Sequence, residues 1–369
     1  MAGPIHPLDL LCACLWAGQG GQQLDNLHVK ALLEPGMDLV ALMQLAGRHR
    51  VTPMLAKSIL DAKQSCDLPD DFRFYLLFIH AQNDARNNAL RRQLVEAVAC
   101  LNVIGIEPVL LKGAIRLVDG LYPDLGWRLM RDLDLLVPRE RLHDAAAQLR
   151  RIGYASPSSS APRRHWHLPP LVRAAAEAVI EVHEDLLGRP CLCTAEQMIA
   201  RSQPALVDGA RVRIPDIADQ LVHLIAHDRL DAPFRQSGTF FLRSIFEILL
   251  LARSQVDVQE VVGRFALANL VFWPQTAFGL AAELFPNETA LGLQGMKRGL
   301  RANLQLRLFL GLERWDRRGS MRRVGGYLCG RVEGFLNSAA ARRYFMQSLL
   351  SASYYRRCSK TLAQLWQEP

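Results

Sequence analysis

The seven residues Arg131–Val137, RDLDLLV, set two aspartates into an otherwise apolar run that Pro138 closes. Leu133, Leu135, Leu136 and Val137 give the run the character of a buried strand, and proline is a natural end for one. On a strand, residues i and i+2 share a face, their alpha carbons roughly 6.5 to 7 Å apart. Asp132 and Asp134 therefore point the same way. Two carboxylates side by side in an apolar run repel each other and lose hydration unless a cation joins them. A divalent metal resolves the conflict. Oxygen donors select magnesium or manganese rather than zinc, and magnesium commonly shares its shell with substrate phosphates. The alternative is a chance Asp-x-Asp on a structural strand, so the neighbouring sequence has to decide.

Upstream, IEPVLLKG (Ile106–Gly113) reads as a short buried strand ending in a glycine turn, and Gly113 starts a helix, AIRLVDGLY. Glycine lets backbone approach a phosphate closely, a helix N-terminus offers free N–H groups, and Lys112 adds a point charge. Arg128 and Arg131, just before the aspartates, are suited either to neutralising a triphosphate or to pairing with the aspartates; the phosphate role is favoured for Arg128. Downstream, Glu140–Arg151 is an amphipathic helix ending at Gly153, and SPSSSAPRR (Ser156–Arg164) is a loop. AVIEVHEDL (Ala178–Leu186) is a third strand, with Ile180 and Val182 on one face and Glu181 and His183 on the other. A two-metal site, with ions about 3.5–4 Å apart, commonly needs a third carboxylate. Glu181 is the candidate. His183 shares its face, suited to orienting that carboxylate, touching an acceptor, or simply hydrogen bonding within the fold.

The flanks read as helical. Apolar residues recur at helical spacing, for example Leu39, Leu42, Leu45 and Ala46, with Pro35-Gly36 as a breaker between two helices, and a longer helix runs from Asp71 to about Val103. From Thr194 onward the pattern reads as overwhelmingly helical. The expected class is α+β: a small mixed sheet with helices, residues 96–193, embedded between helical regions 1–95 and 194–369. His165, His167 and His183 surround the third strand without a convincing zinc pattern, and His223 and His227, one helical turn apart, read as pocket lining or core. Paired arginines among aromatics, Arg317-Arg318, Arg322-Arg323, Arg342-Arg343 and Arg356-Arg357, suit RNA or phosphate, but a solvated helix face is the plainer reading.

Composition narrows the class further. Half of the 369 residues are apolar and 22% are charged, which argues against global disorder. The net charge of +8 suits an anionic partner without choosing among nucleotide, nucleic acid and acidic lipid. Eight scattered cysteines form no Cys-x-x-Cys pair and read as reduced thiols. The greasy segment Leu267–Phe285 is interrupted by Asn269, Pro274, Gln275 and Glu283, so it reads as core helix rather than membrane span. With no basic leader at the N-terminus, the expected compartment is the cytoplasm.

PVLLKGAI, WRLMRDLDLLVP, the following Gly-Tyr and IEVHEDL together resemble a bacterial family of uncharacterised nucleotidyltransferases within the polymerase-beta-like superfamily. The likeness extends over roughly Met37–Arg253, including DLVALMQLAGRHRVTPML and PDIADQLVHLIAHD. It implies that Asp132, Asp134 and Glu181 are the catalytic, metal-binding acids, and that Lys112, Gly113 and Arg128 bind nucleotide. It further implies Mg²⁺ or Mn²⁺ as cofactor and a nucleoside triphosphate that gives up its monophosphate to an unknown acceptor. A small molecule, peptide or protein is favoured over nucleic acid as that acceptor. The superfamily's Gly-Gly or Gly-Ser turn is here Lys112-Gly113-Ala114, without the serine. The rival readings are a non-catalytic nucleotide-binding or scaffold protein and a toxin-like enzyme that modifies RNA or protein.

Overall fold

The computed structural model describes residues 5–17, 31–34, 37–62, 67–156, 167–186, 192–230, 240–254, 256–286 and 298–315. Pro35-Gly36, His165, most of the serine-rich loop and the paired arginines from Arg317 to Arg357 lie outside these residues. Among the described residues, helices α1 (Pro7–Ala17), α2 (Leu39–Arg48) and α3 (Thr52–Leu60) precede the long α4 (Asp70–Asn102). The central unit runs β1 (Val109–Leu111), α5 (Lys112–Arg116), β2 (Asp132–Leu136), α6 (Leu142–Arg151) and β3 (Val179–His183). Then come α7 (Ala195–Arg201), β4 (Gln203–Val207), β5 (Ala210–Ile214), α8 (Ile217–Leu230), α9 (Leu242–Ala252), α10 (Val258–Leu267), α11 (Phe272–Leu284) and α12 (Leu300–Trp315).

The class is α+β, as expected, with one mixed sheet in the order β3-β2-β1-β5-β4. β2 runs parallel to β3 and antiparallel to β1, while β1 is parallel to β5. The helical reading of everything after Thr194 needs correction, because Gln203–Ile214 is a hairpin that extends the sheet. Its turn, Asp208-Gly209, has positive φ at both positions (50° and 84°), the geometry an Asp-Gly pair favours in two-residue hairpins. The helix expected over Ala114–Tyr122 is also shorter, beginning at Lys112 and stopping at Arg116. The segment Leu267–Phe285 is divided between the last residue of α10 and all of α11, with Asn269 at positive φ between them.

Alternation along the strands gives the sheet two different faces. Leu110, Leu133, Leu135, Ile180 and Val182 pack in one cluster with Leu90, Leu94, Ala97, Val98 and Leu101 of α4 and with Leu142, Ala145 and Leu149 of α6. Each such side chain, fully withdrawn from water, contributes about 1.5–3 kcal/mol. On the opposite face Val109, Leu111 and Leu136 join a second cluster formed with α1–α3, α8, α9 and α11. α4 begins with Asp70 and Asp71 in its first turn, complementing the helix dipole, and the chain leaves it at Gly105, whose φ is +73°.

Candidate active site

Register assembles the acids. Asp134 lies opposite Glu181 in the parallel β2–β3 pair, and Leu136 lies opposite His183, so Asp132, Asp134, Glu181 and His183 share one face. One ligand atom each from Asp134, Glu181 and His183 fall within 4.8 Å of one another, a possible metal-binding group. Asp132 is on the same face, within electrostatic reach of Asp134, but outside that tight trio.

Asp134 is fully buried, and its Oδ1 accepts from Lys112 Nζ at 2.7 Å and from His183 Nε2 at 2.8 Å. Burial pushes its carboxyl up, but Lys112's charge and the two hydrogen bonds outweigh that and hold it well below the usual carboxylate range. The other oxygen, Oδ2, is buried without a hydrogen-bond partner among the described residues. Asp132 is shifted the opposite way, raised by burial and by Asp134's charge against the opposing pull of Lys112, Arg128 and His227. One of the two aspartates is thus a firm anion and the other is readier to take a proton.

His183 is also fully buried, and burial lowers it to about 4 despite its bond to Asp134. The imidazole is therefore neutral near pH 7, and because Asp134 is ionised, Nε2 is the nitrogen that carries the hydrogen. Its Nδ1 is buried without a partner. Metal-bound histidines usually donate their other ring N–H to a carboxylate, and Nε2 does so here to Asp134, so the lone pair of Nδ1 is the one that a ligand or ion would meet. His167 stacks obliquely on it, ring centroids 5.0 Å apart, with Nε2 3.8 Å from Glu181 Oε2.

Lys112 is placed by an uncommon backbone. Its φ of +47° is left-handed, which costs a non-glycine residue about 1 kcal/mol, and it turns the ammonium onto Asp134. Burial favours the neutral amine, yet Asp134, Asp132 and Glu181 together raise its pKa, so the lysine is charged. Beside it, a Cβ on Gly113 would lie 2.6 Å from Arg128 Nη1, so any larger residue would push that guanidinium out of its place. Arg128 itself meets neither aspartate: it is buried, and its Nε donates to Glu247 of α9 at 3.1 Å.

Glu247 was legible in the sequence only as an interruption of an apolar helix. It is a buried hub that also accepts from Arg116 Nε at 2.6 Å, and although burial raises it, the surrounding arginines hold it at about 2. A second missed feature is the polar side of α4. Asn83 Nδ2 donates to the carbonyls of Gly126 (2.6 Å) and Arg128 (3.1 Å), and Asn87 Nδ2 donates to those of Leu125 (2.6 Å) and Arg128 (2.7 Å). Arg86 reaches the Met130 carbonyl, and Gln93 pairs with both the N–H and the carbonyl of Ala178. Asn83 and Asn87 stand four residues apart and Arg86 and Gln93 seven, so these side chains lie on one side of the helix and fix the approaches to β2 and β3. The signal was present in NDARNNALRRQ, but amides on a helix more often face water.

From α8, His223 and His227 look across at this face. Burial, followed by Lys112's charge, lowers His223 well below its usual value, while His227 stands within electrostatic reach of Asp132.

A profile of the uncharacterised nucleotidyltransferase family matches residues 35–286, more than half of the chain. The chain belongs to that family, and its general activity is that of a nucleotidyltransferase. No curated protein and no solved structure matches it significantly. No helix among the described residues is long and apolar enough to cross a membrane.

Proposed function

We propose that this family member is a metal-dependent enzyme that moves a nucleoside monophosphate from a nucleoside triphosphate to an acceptor and releases pyrophosphate. The observation that supports the reading most is Asp134 opposite Glu181, with Asp132 on the same face and a buried Asp134 Oδ2 that has no protein donor. A buried, unpartnered carboxylate oxygen beside two further acids fits a cation. Asp134, Glu181 and Asp132 would hold Mg²⁺ or Mn²⁺, the ions that oxygen donors favour. When bound, such an ion polarises the phosphate under attack and lowers the pKa of the acceptor hydroxyl.

The chain's own groups prepare that chemistry. His183 fixes the orientation of Asp134, and Lys112 balances its charge until ligands arrive. Arg128, its outer nitrogens turned toward the Gly113 turn, is placed to receive phosphate oxygens without leaving Glu247. Asp132, raised by burial and by Asp134's charge, would be held ionised by the cation it shares with Asp134.

The test is label transfer. Protein incubated with α-labelled triphosphates, Mg²⁺ or Mn²⁺ and candidate acceptors should release pyrophosphate and transfer label, and Asp132→Asn/Asp134→Asn should do neither. Equal transfer by the two proteins ends the proposal.

A further inference from the structure

Arg243 on α9 is half-buried, no ion pair holds it among the described residues, and its Nε is buried without an acceptor. Buried charges are ordinarily paired, because losing hydration without compensation is unfavourable. The nearby acids do not serve it. Glu247 is held by Arg116 at 2.6 Å and by Arg128 at 3.1 Å. Asp228 lies within electrostatic reach but leaves both oxygens without a hydrogen bond, His227 Nδ1 standing 4.0 Å away. Burial, reinforced by the like charges of Arg128 and Arg50 and only partly offset by Asp228 and Glu247, lowers the guanidinium to about 10.

Position gives this unpaired cation a use. Arg243 lies one helical turn before Glu247 on α9, and Arg128, bonded to Glu247 through Nε, lays Nη1 against the Lys112–Gly113 turn. We propose that Arg243 and the outer nitrogens of Arg128 form a phosphate-binding subsite beside that turn, one that takes the distal phosphates of the triphosphate. The inference rests on the nucleotidyltransferase reading and deepens it. Two guanidiniums from different elements, β2's approach and α9, would grip the part of the nucleotide that leaves as pyrophosphate, and a nucleoside monophosphate would not reach them. The same chemistry would hold a phosphate carried by the acceptor.

Calorimetry on the whole chain with Mg²⁺ separates these cases. For Arg243→Gln, affinity for a non-hydrolysable triphosphate analogue should fall about 10- to 100-fold, while nucleoside monophosphate affinity stays within about twofold. If analogue affinity holds but inorganic phosphate no longer binds the analogue-saturated variant as it does wild type, the subsite stands and serves an acceptor phosphate. Unchanged binding of both overturns it. Arg243→Lys, keeping the charge, should recover part of the loss. Because an unpaired charge is removed, the Tm of unliganded Arg243→Gln should match or exceed that of wild type. A fall of more than about 5 °C would make Arg243 a structural cation and overturn the proposal. A wild-type protein that binds no triphosphate at all sinks the nucleotidyltransferase reading, and the subsite with it.

Discussion

The two faces of β2 are built from alternate residues of one five-residue strand, yet they answer to different demands. Leu133 and Leu135 point into an apolar layer against α4 and α6, where everything is satisfied by burial. Asp132 and Asp134 point toward α8 and α9, where burial is opposed by charge and several polar atoms have no protein partner. The first face provides stability, and the second stores unfavourable interactions that a ligand would relieve. A one-residue slip in register would exchange them, so strand pairing itself protects the site.

Four experiments test that division. Asp134→Asn should lower label transfer by about 10³-fold, several kcal/mol of lost transition-state stabilisation, while leaving the protein folded by circular dichroism. An active Asp134→Asn enzyme would show that the charged face is not the site. On the other face, Leu135→Ala should cost about 2–5 kcal/mol in urea unfolding, with kcat of the folded fraction within a few-fold of wild type. Loss of activity at full folding would erase the distinction between the faces.

The third is a pH dependence. His183 in the folded chain titrates at about 4, below its ordinary 6.5, so between these values the unfolded chain binds a proton that the native chain does not. Stability therefore rises with pH across this window and is lost as pH falls from about 6.5 to about 4, by on the order of 2–3 kcal/mol. His183→Gln should flatten Tm over that range; an unchanged slope would assign it to other groups. Smallest is Asn87→Ala, which removes the side-chain donor to the Leu125 carbonyl and leaves the Arg128 carbonyl with Asn83 alone. Unfolding should become easier by about 1–2 kcal/mol, and KM for the triphosphate should rise more than kcat falls.

The sheet's first three strands and the long helix were legible because each carries a local signal: apolar runs closed by Gly113 or Pro138, alternation over Val179–His183, helical spacing up to Gly105. The β4–β5 hairpin was passed over although Asp208-Gly209 marks it, since the alternation in Gln203–Ile214 is broken by Pro204 and lies among strongly helical neighbours. The acidic face could be read from spacing alone, because strand geometry places residues i and i+2 together without tertiary information. What encloses that face could not. Glu247 meets Arg116 and Arg128 across more than a hundred positions, and a glutamate in an apolar helix looks the same whether it is a hub or an interruption.

The amide ladder of α4 bears on what could be cut out or grafted. Asn83, Arg86, Asn87 and Gln93 all precede residue 96, where the catalytic unit would be taken to begin on sequence alone, yet they hold the backbone that delivers Arg128, Asp132 and Val179. A fragment starting at β1 would carry every acid and none of the scaffolding that aims them. The smallest transplantable piece begins upstream of Asn83, which makes the long helix part of the enzyme's heritable unit rather than its packaging.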